Sequence, residues 1–253
     1  MQNEIKEGEL LKVAAIIQAR MGSTRLPGKI LKTVNGKTLL EYQIERVKQA
    51  KSIDQIIIAT TIENSEQPIV ELCEKIGIDY YRGSEQDVLS RYYEATQKYN
   101  VDVIIRLTSD CPIIDPGVID KVVNQYLRNQ SSVDYVANTL ERTYPRGLDT
   151  EVFSFKALTK AYQEAFLSRD REHVTAYFYK NPDLFKLQGV KNEQDYSRYR
   201  WTVDTEEDFE LIRLIICELY NPDKLFLLED VIKLLTLYPE WNDINAHIEQ
   251  KKV

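Results

Sequence analysis

The sequence is poor in the residues that build disulfide frameworks and histidine metal sites. Its three cysteines, Cys73, Cys111 and Cys217, are far apart and form no C-x-x-C pair. We therefore expect a reduced, cytoplasmic protein without a disulfide framework. The chain has only two histidines, His173 and His247, which argues against a zinc site built on histidine ligands.

Long apolar runs and an excess of positive charge are also missing. No run approaches membrane-spanning length, and residues 1–10 are polar and acidic, unlike a signal peptide, so we expect them to form a loose extension. The 33 basic and 40 acidic residues give a net charge of −7, which argues against a general nucleic-acid binder. We therefore expect neither a nucleic-acid nor a membrane partner, and any anion site must be a local cluster of basic side chains.

Such a cluster follows the first apolar run of the chain. Residues 13–17 are apolar and rich in β-branched side chains, which predicts a buried parallel strand. The next loop contains Gly22 and Gly28, where the backbone can approach a ligand closely, and three cations, Arg20, Arg25 and Lys29. The spacing matches neither a Walker A loop nor the G-x-G-x-x-G fingerprint. We interpret the loop as a triphosphate cradle, the alternative being a surface turn with solvated charges.

Strand and helix patterns alternate through the first half of the chain. Apolar runs predict strands at residues 55–60 and 101–107 and a short strand at 79–82. Amphipathic stretches predict helices at residues 38–51, 65–76, 86–99 and 116–127, the last with Asp115 as its N-cap. This order predicts an α/β fold with a parallel sheet between two helical layers, and ligands bound at the carboxyl ends of the strands.

The second half of the chain is less regular. It predicts strands within 134–155 and at 185–190 and 199–203, and helices at 156–166, 169–179, 205–219 and 228–238. Thr205 is the expected N-cap of the helix at 205–219, with Asp208 placed almost as in a capping box. We interpret the chain, residues 1–253, as a single domain with an inserted arm at about 134–198.

Two aspartates directly follow predicted strands and are candidates for a metal site. Asp110 follows the strand at 101–107, and Asp204 follows the strand at 199–203. Mg²⁺ accompanies nucleoside triphosphates and takes a few carboxylate oxygens, so these two side chains predict a shared Mg²⁺ site. The alternatives are a turn role for Asp110 before Pro112 and a helix-capping role for Asp204.

Several motifs in register resemble one enzyme family over nearly the whole chain. The motifs are IQARMGSTRLPGK (17–29), RGSEQDVLSRY (82–92), RLTSDCP (106–112), YPRGLDTEVF (144–153), REHVT (171–175) and WTVDT (201–205). Together they resemble the cytidylyltransferase superfamily that makes CMP-activated sugar acids, and most closely the family of spore coat polysaccharide biosynthesis protein F. Several motifs in register are far more specific than one.

The resemblance implies a three-layer αβα sandwich with a mixed, mainly parallel sheet, like the nucleotide-diphospho-sugar transferases. It also implies CTP bound at the first loop, Arg20 and Lys29 on the phosphates, Mg²⁺ on Asp110 and Asp204, and a homodimer built with the arm. Sialic-acid-activating relatives carry D-x-D where this chain has Thr202 and Asp204. The single aspartate is more similar to relatives that activate deoxy-octulosonate.

We therefore predict three groups of site residues. The catalytic group is Arg20, Lys29 and Asp110. The nucleotide site is Gln18, Ala19, Arg20, Gly22, Ser23, Arg25, Lys29, Arg82, Asp87 and Thr108, although helix capping is an alternative role for Asp87. The acceptor site is Arg146, Asp149, Glu151, Arg171 and His173, several of which could instead be solvated or structural.

The function expected from these residues is Mg²⁺-dependent transfer of CMP from CTP to a sugar acid or phosphorylated polyol in surface polysaccharide biosynthesis. Pyrophosphate leaves when the acceptor oxygen attacks the α-phosphorus in line. The alternatives are a glycosyltransferase that uses a nucleotide-sugar donor and a non-catalytic nucleotide-binding protein of the same pathway.

Overall fold

The computed structural model describes residues 10–250, so the predicted extension lies outside the described residues except for Leu10. The strands are β1 (Val13–Gln18), β2 (Thr33–Val34), β3 (Lys37–Thr38), β4 (Gln55–Thr61), β5 (Asp79–Gly83), β6 (Val103–Thr108), β7 (Tyr135–Ala137), β8 (Glu151–Ser154) and β9 (Leu187–Gly189). The helices are α1 (Leu39–Val47), α2 (Gln67–Ile76), α3 (Val88–Tyr99), α4 (Pro116–Asn129), α5 (Phe155–Glu164), α6 (Ser168–His173), α7 (Ala176–Lys180), α8 (Glu206–Leu219) and α9 (Leu228–Leu237). In the part of the chain described, no helix is long and apolar enough to cross a bilayer.

Seven strands form one mixed sheet in the order β5-β4-β1-β6-β8-β7-β9. The ladder is parallel except along β8, which runs antiparallel to both β6 and β7. Gln18 at the end of β1 therefore lies opposite Thr108 at the end of β6, while Glu151 at the start of β8 pairs with Arg106. This antiparallel strand brings its first residue to the edge where the parallel strands end.

The sheet lies between two helical layers because β1 is buried on both faces. Val13, Ala15 and Ile17 pack in a core with α1, α2 and α4, whereas Ala14 and Ile16 pack in a core with α3 and α5. A third apolar cluster, which contains Trp201, joins α8 and α9 to α1. The predicted three-layer fold with a mixed, mainly parallel sheet is confirmed.

The predicted arm, residues 134–198, is largely built into the main sheet. It supplies β7, β8 and β9 to the sheet, and its helices α5 and α6 pack against α3. The single helix predicted at 169–179 is wrong, because the chain breaks at Val174 into α6 and α7. Val174 is fully buried with φ 53° and ψ −67°, a backbone conformation that a β-branched residue rarely adopts and that a helix cannot contain.

The strand predicted at 199–203 is also wrong. Only one isolated bridge forms there, between Arg146 and Arg200, because the segment runs beside the turn at Gly147 rather than beside a long strand. Arg146 N donates to Tyr199 O, and Trp201 N donates to Arg146 O at 2.7 Å. Further along the segment, Val203 N donates to Asp110 O at 2.8 Å. Together these hydrogen bonds hold Asp204 beside the end of β6.

We expect Gly147→Ala to lower the free energy of unfolding by at least about 1–3 kcal/mol. Gly147 has φ 104°, and a Cβ at this position would lie 2.6 Å from the carbonyl carbon of Trp201. Urea unfolding measures the change, and Gly189→Ala is the matched control, because its Cβ would meet nothing closer than 3.9 Å. Equal stability of the two variants would contradict this account of the turn.

Candidate active site

The glycine-containing loop after β1 is closed by its own backbone and by a buried acid. Met21 O accepts hydrogen bonds from Ser23 N at 2.9 Å and from Gly28 N at 3.0 Å. Glu66, from the short 3₁₀ turn before α2, is 3% exposed and accepts from Met21 N at 2.9 Å. The sequence analysis missed Glu66, because only the pairing of β4 with β1 brings the segment after β4 beside the loop.

Lys29, Asp110 and Asp204 converge at the carboxyl edge of the sheet. Lys29 Nζ lies 2.7 Å from Asp204 Oδ1 and 3.6 Å from Asp110 Oδ2. It also donates to Val203 O at 2.7 Å. The structure thus brings together two acids that are far apart in the sequence and directs both toward one cationic atom.

The charges of this trio influence one another. Burial alone would lower the pKa of Lys29, but the carboxylates of Asp110 and Asp204 raise it above its ordinary value. Burial alone would raise the pKa of Asp110, but Lys29 and hydrogen bonds from threonine side chains bring it below its ordinary value. Both groups are therefore charged at neutral pH.

Two arginines hold the side chain of Asp204 in place. Its Oδ2 atom pairs with Arg25 Nη2 at 2.9 Å and with Arg200 Nη2 at 2.9 Å. Arg200 is itself held by Asp208, a fully buried acid 2.8 Å from Arg200 Nε. The sequence analysis did not identify Arg200 as part of the site, since the strand predicted there gave no direction for its side chain.

The loop, the ends of β1 and β6, and α3 enclose a cavity of about 240 Å³. We call it the nucleotide cavity. The predicted site residues that line it are Gln18, Ala19, Arg20, Ser23, Arg25, Lys29, Thr108, Asp110, His173 and Asp204. Gly22 belongs to the same loop but is not among the lining residues. The lining residues that were not predicted are Thr24, Val88, Arg91, Ser109 and Glu172.

Two residues predicted for the nucleotide site are placed elsewhere by the structure. Arg82 turns back onto the loop after β4, where its guanidinium donates to Thr61 O at 3.1 Å and Ile62 O at 2.9 Å. Asp87 is the N-cap of α3 and pairs with Arg171, which joins α6 to α3. The structure therefore favours the capping interpretation of Asp87, and α3 begins at Val88 rather than Gln86.

A second cavity of about 480 Å³ adjoins the first, and we call it the acceptor cavity. The two cavities share Thr108 and His173 as lining residues. Of the predicted acceptor residues, Asp149, Glu151 and His173 line the acceptor cavity. Arg171 and Arg146 do not, because Arg171 pairs with Asp87 and Arg146 lines a different cavity near Trp201 and Asn245.

The acceptor cavity contains two arginines that the sequence analysis did not assign to it, and each has an acidic partner. Arg142 makes a two-pronged pair with Asp149, at 2.6 and 2.8 Å. Arg106 Nη1 pairs with Glu151, which also accepts from Thr175 Oγ1 at 2.8 Å. The Nε atom of Arg106 is buried with no hydrogen-bond partner among residues 10–250. An acceptor group of a ligand in this cavity would satisfy that donor.

The sheet order and the edge site define a nucleotidyltransferase fold, and comparison with known proteins identifies the family. The cytidylyltransferase family model matches residues 14–251, so the chain belongs to the cytidylyltransferase family, as its motifs predicted. It is therefore an enzyme of the nucleotidyltransferase class.

Individual relatives agree with this assignment. The chain is 40% identical over 245 residues to an uncharacterised protein of Methanocaldococcus jannaschii, covering 95% of this chain and 97% of that protein. It is 35% identical over 207 residues to spore coat polysaccharide biosynthesis protein SpsF of Bacillus subtilis, covering 79% and 84%. A 3-deoxy-manno-octulosonate cytidylyltransferase of Chlamydia trachomatis serovar A is 30% identical over 145 residues, covering 55% of each chain.

Solved structures share the fold. A cytidylyltransferase from Leptospira borgpetersenii superposes with a TM-score of 0.88 at 37% identity, covering 96% of this chain and all of that one. CMP:2-keto-3-deoxy-manno-octonic acid synthetase complexed with CTP gives a TM-score of 0.63 at 18% identity, covering 82% and 99%. At that identity the second likeness concerns the fold alone.

Proposed function

We propose that this protein transfers CMP from CTP to a sugar acid or a phosphorylated polyol and releases pyrophosphate, in surface polysaccharide biosynthesis. The observation that carries the proposal is the wall shared by the two cavities. An acceptor oxygen near Thr108 and His173 would adjoin the nucleotide cavity that contains Lys29 and Asp110. Adjacent sites of this kind allow two substrates to react without diffusing apart.

The chain's own residues supply positioning and charge in this mechanism. Arg20 is exposed and Lys29 is half-buried, and both line the nucleotide cavity, so both can bind phosphate oxygens. These cations would stabilise charge that develops as pyrophosphate departs. Arg106 and Arg142 in the acceptor cavity support an acidic acceptor, because a carboxylate or phosphate could accept from the unpaired Arg106 Nε.

We further propose that Asp110 and Asp204 hold Mg²⁺ together with the nucleotide. Their oxygens converge on one cationic position, and one or two carboxylates plus phosphates form a typical Mg²⁺ donor set. No group of three or more His, Cys, Asp or Glu residues in the described chain could hold a metal, which leaves the remaining ligands to phosphate and water. Bound there, Mg²⁺ would supply polarisation of the α-phosphate.

The test is pyrophosphate release with each of the four ribonucleoside triphosphates and Mg²⁺, against a panel of sugar acids and polyol phosphates. We expect release with CTP and an acidic acceptor. Release of a nucleoside diphosphate from a nucleotide-sugar would instead support the glycosyltransferase alternative. CTP binding without turnover across the panel would support the non-catalytic alternative.

We also propose a cytoplasmic homodimer. The exposed thiol of Cys217 suits a reducing compartment. Phe166 and Leu167, between α5 and α6 in the arm, are 87% and 61% exposed, and such adjacent apolar side chains are typical of interaction surfaces.

Light scattering coupled to size exclusion should therefore show a dimer that Phe166→Asp converts to a monomer. Leu237→Asp is the matched control, because this exposed leucine lies at the end of α9, outside the arm. A monomeric wild-type protein, or a dimer that survives Phe166→Asp, would count against this interface.

A further inference from the structure

Arg91 is a buried cation on the wall of the nucleotide cavity. Its side chain comes from the second turn of α3 and is 2% exposed. Its Nε and Nη1 atoms have no hydrogen-bond partner among residues 10–250. Because buried guanidinium nitrogens without hydrogen-bond partners are costly, the position indicates that a ligand completes the hydrogen bonds of these two atoms.

The local fold is adapted to Arg91. The aliphatic part of its side chain lies against Gly83 at the end of β5, where an added Cβ would be only 3.2 Å from Arg91 Cγ. The same Cβ would lie 2.9 Å from Tyr81 Cε1, so a side chain at position 83 would displace Tyr81 and crowd Arg91. Burial lowers the pKa of the Arg91 guanidinium, and so does the charge of Arg20. Three groups act on this pKa in the opposite direction without reversing the shift: Tyr92, Glu66 and Glu85.

Gln18 is a second polar residue of the same cavity with an unused hydrogen-bonding atom. It ends β1, and its Oε1 atom is buried without a hydrogen-bond partner in the described chain. An amide oxygen requires a donor, whereas phosphate groups offer only acceptors. The pair of Arg91 and Gln18 therefore presents donors and one acceptor together, a set that suits a nucleobase better than a phosphate.

The positions of the other cations support the same distinction. The loop after β1 already carries Arg20, Arg25 and Lys29 for the phosphates, whereas Arg91 and Val88 approach from α3. Because α3 follows β5, which pairs with β4 rather than with β1 or β6, Arg91 and Val88 approach the cavity from a different element than the cations of the loop.

We propose that Arg91 reads the pyrimidine base, donating to the adjacent O2 and N3 acceptors of cytosine while Gln18 Oε1 accepts from the N4 amine. This inference rests on the proposed use of CTP. In uracil, N3 carries a hydrogen that would face the donors of Arg91, and O4 replaces the amine that Gln18 needs. The same residues would thus favour cytosine and reject uracil.

The experiment is calorimetric binding of CTP, UTP and tripolyphosphate, with Mg²⁺, to the wild type and to Arg91→Met and Arg91→Lys. We expect both variants to bind CTP about 10- to 100-fold more weakly and to lose most of the CTP preference, with tripolyphosphate binding unchanged. Lysine keeps the charge but lacks the fork of donors, so it separates base reading from simple charge.

Several outcomes would overturn the inference. The first is equal affinity of the wild type for CTP and UTP. The second is an equal loss of affinity for CTP, UTP and tripolyphosphate in the variants, because it would make Arg91 a phosphate ligand. Unchanged binding in folded variants would make the residue purely structural.

A probe on the ligand covers the case in which the variants do not fold. The triphosphate of 3-deazacytidine has C–H in place of N3, so the wild type should bind it at least about 10-fold more weakly than CTP. Equal affinity would refute the role of Arg91. If the protein binds CTP selectively through Arg91 but shows no turnover, the inference about Arg91 stands and the proposed transfer reaction fails. If an Arg91→Met enzyme turns over and still selects CTP, the transfer reaction stands and the inference about Arg91 fails.

Discussion

Replacing Asp110 with asparagine is expected to reduce pyrophosphate release by about 100- to 1,000-fold while the protein remains folded. The substitution keeps the size of the side chain but removes the negative charge that faces Lys29 Nζ at 3.6 Å. Lys29 retains its contacts with Asp204 Oδ1 and Val203 O, so the loop should stay in place. We therefore expect the substitution to lower the rate of the reaction and to change the stability of the protein little.

The measurement is steady-state pyrophosphate release with CTP and the best acceptor, together with a thermal unfolding curve for each protein. Asp183→Asn is the matched control, because Asp183 is exposed on the turn after α7, away from both cavities. Near-wild-type turnover by a folded Asp110→Asn protein would remove Asp110 from the mechanism.

Replacing Asp208 with alanine is expected to lower the free energy of unfolding by about 3–5 kcal/mol. Asp208 is fully buried, and its carboxylate accepts from Arg200 Nε and Nη2, from Asp204 N and from Asn245 Nδ2. Alanine would leave the buried Arg200 cation with Asp204 as its remaining acidic partner. Removing a buried carboxylate that accepts from a charged guanidinium and from other buried donors leaves those donors unsatisfied, which is among the more destabilising changes that one substitution can make.

Differential scanning calorimetry should show this loss as a fall in Tm on the order of 10 °C. Glu207→Ala is the control from the same first turn of α8, where Glu207 is exposed and its removal should change Tm little. Because Asp208 also holds Asp204 N, the variant should be less active even where it is folded. A wild-type Tm for Asp208→Ala would show that the Arg200 network contributes nothing to stability.

Local patterns predicted the elements that rely on local interactions. The runs at 13–17, 55–60 and 101–107 became β1, β4 and β6, because β-branched residues buried on both faces have few alternatives to a central strand. The helix caps were equally local. Asp115 accepts from Gly117 N at the start of α4, and Thr205 forms a capping box with Asp208.

The errors occurred where distant parts of the chain meet. The segment at 199–203 has the composition of a strand, but it pairs only at Arg200. Arg82 lies beside Gly83 in the motif at 82–92, which predicted a role in the nucleotide site. Its guanidinium instead donates to the carbonyls of Thr61 and Ile62 at the end of β4. Arg91 could not be assigned to a site from the sequence, because only the packing of α3 on β5 directs its side chain into the nucleotide cavity.

The sequence by itself determined the alternation of strands and helices, the family, and the segments after β1 and β6 that carry Lys29 and Asp110. These follow from short-range periodicity and from the rule that parallel strands end at a common edge. Only the tertiary structure decided which charges meet there: Asp204 with Lys29, Arg25 and Arg200, and Asp87 with Arg171. The physical reason is that an ion pair depends on distances of a few ångströms between side chains, and packing sets those distances independently of separation along the chain.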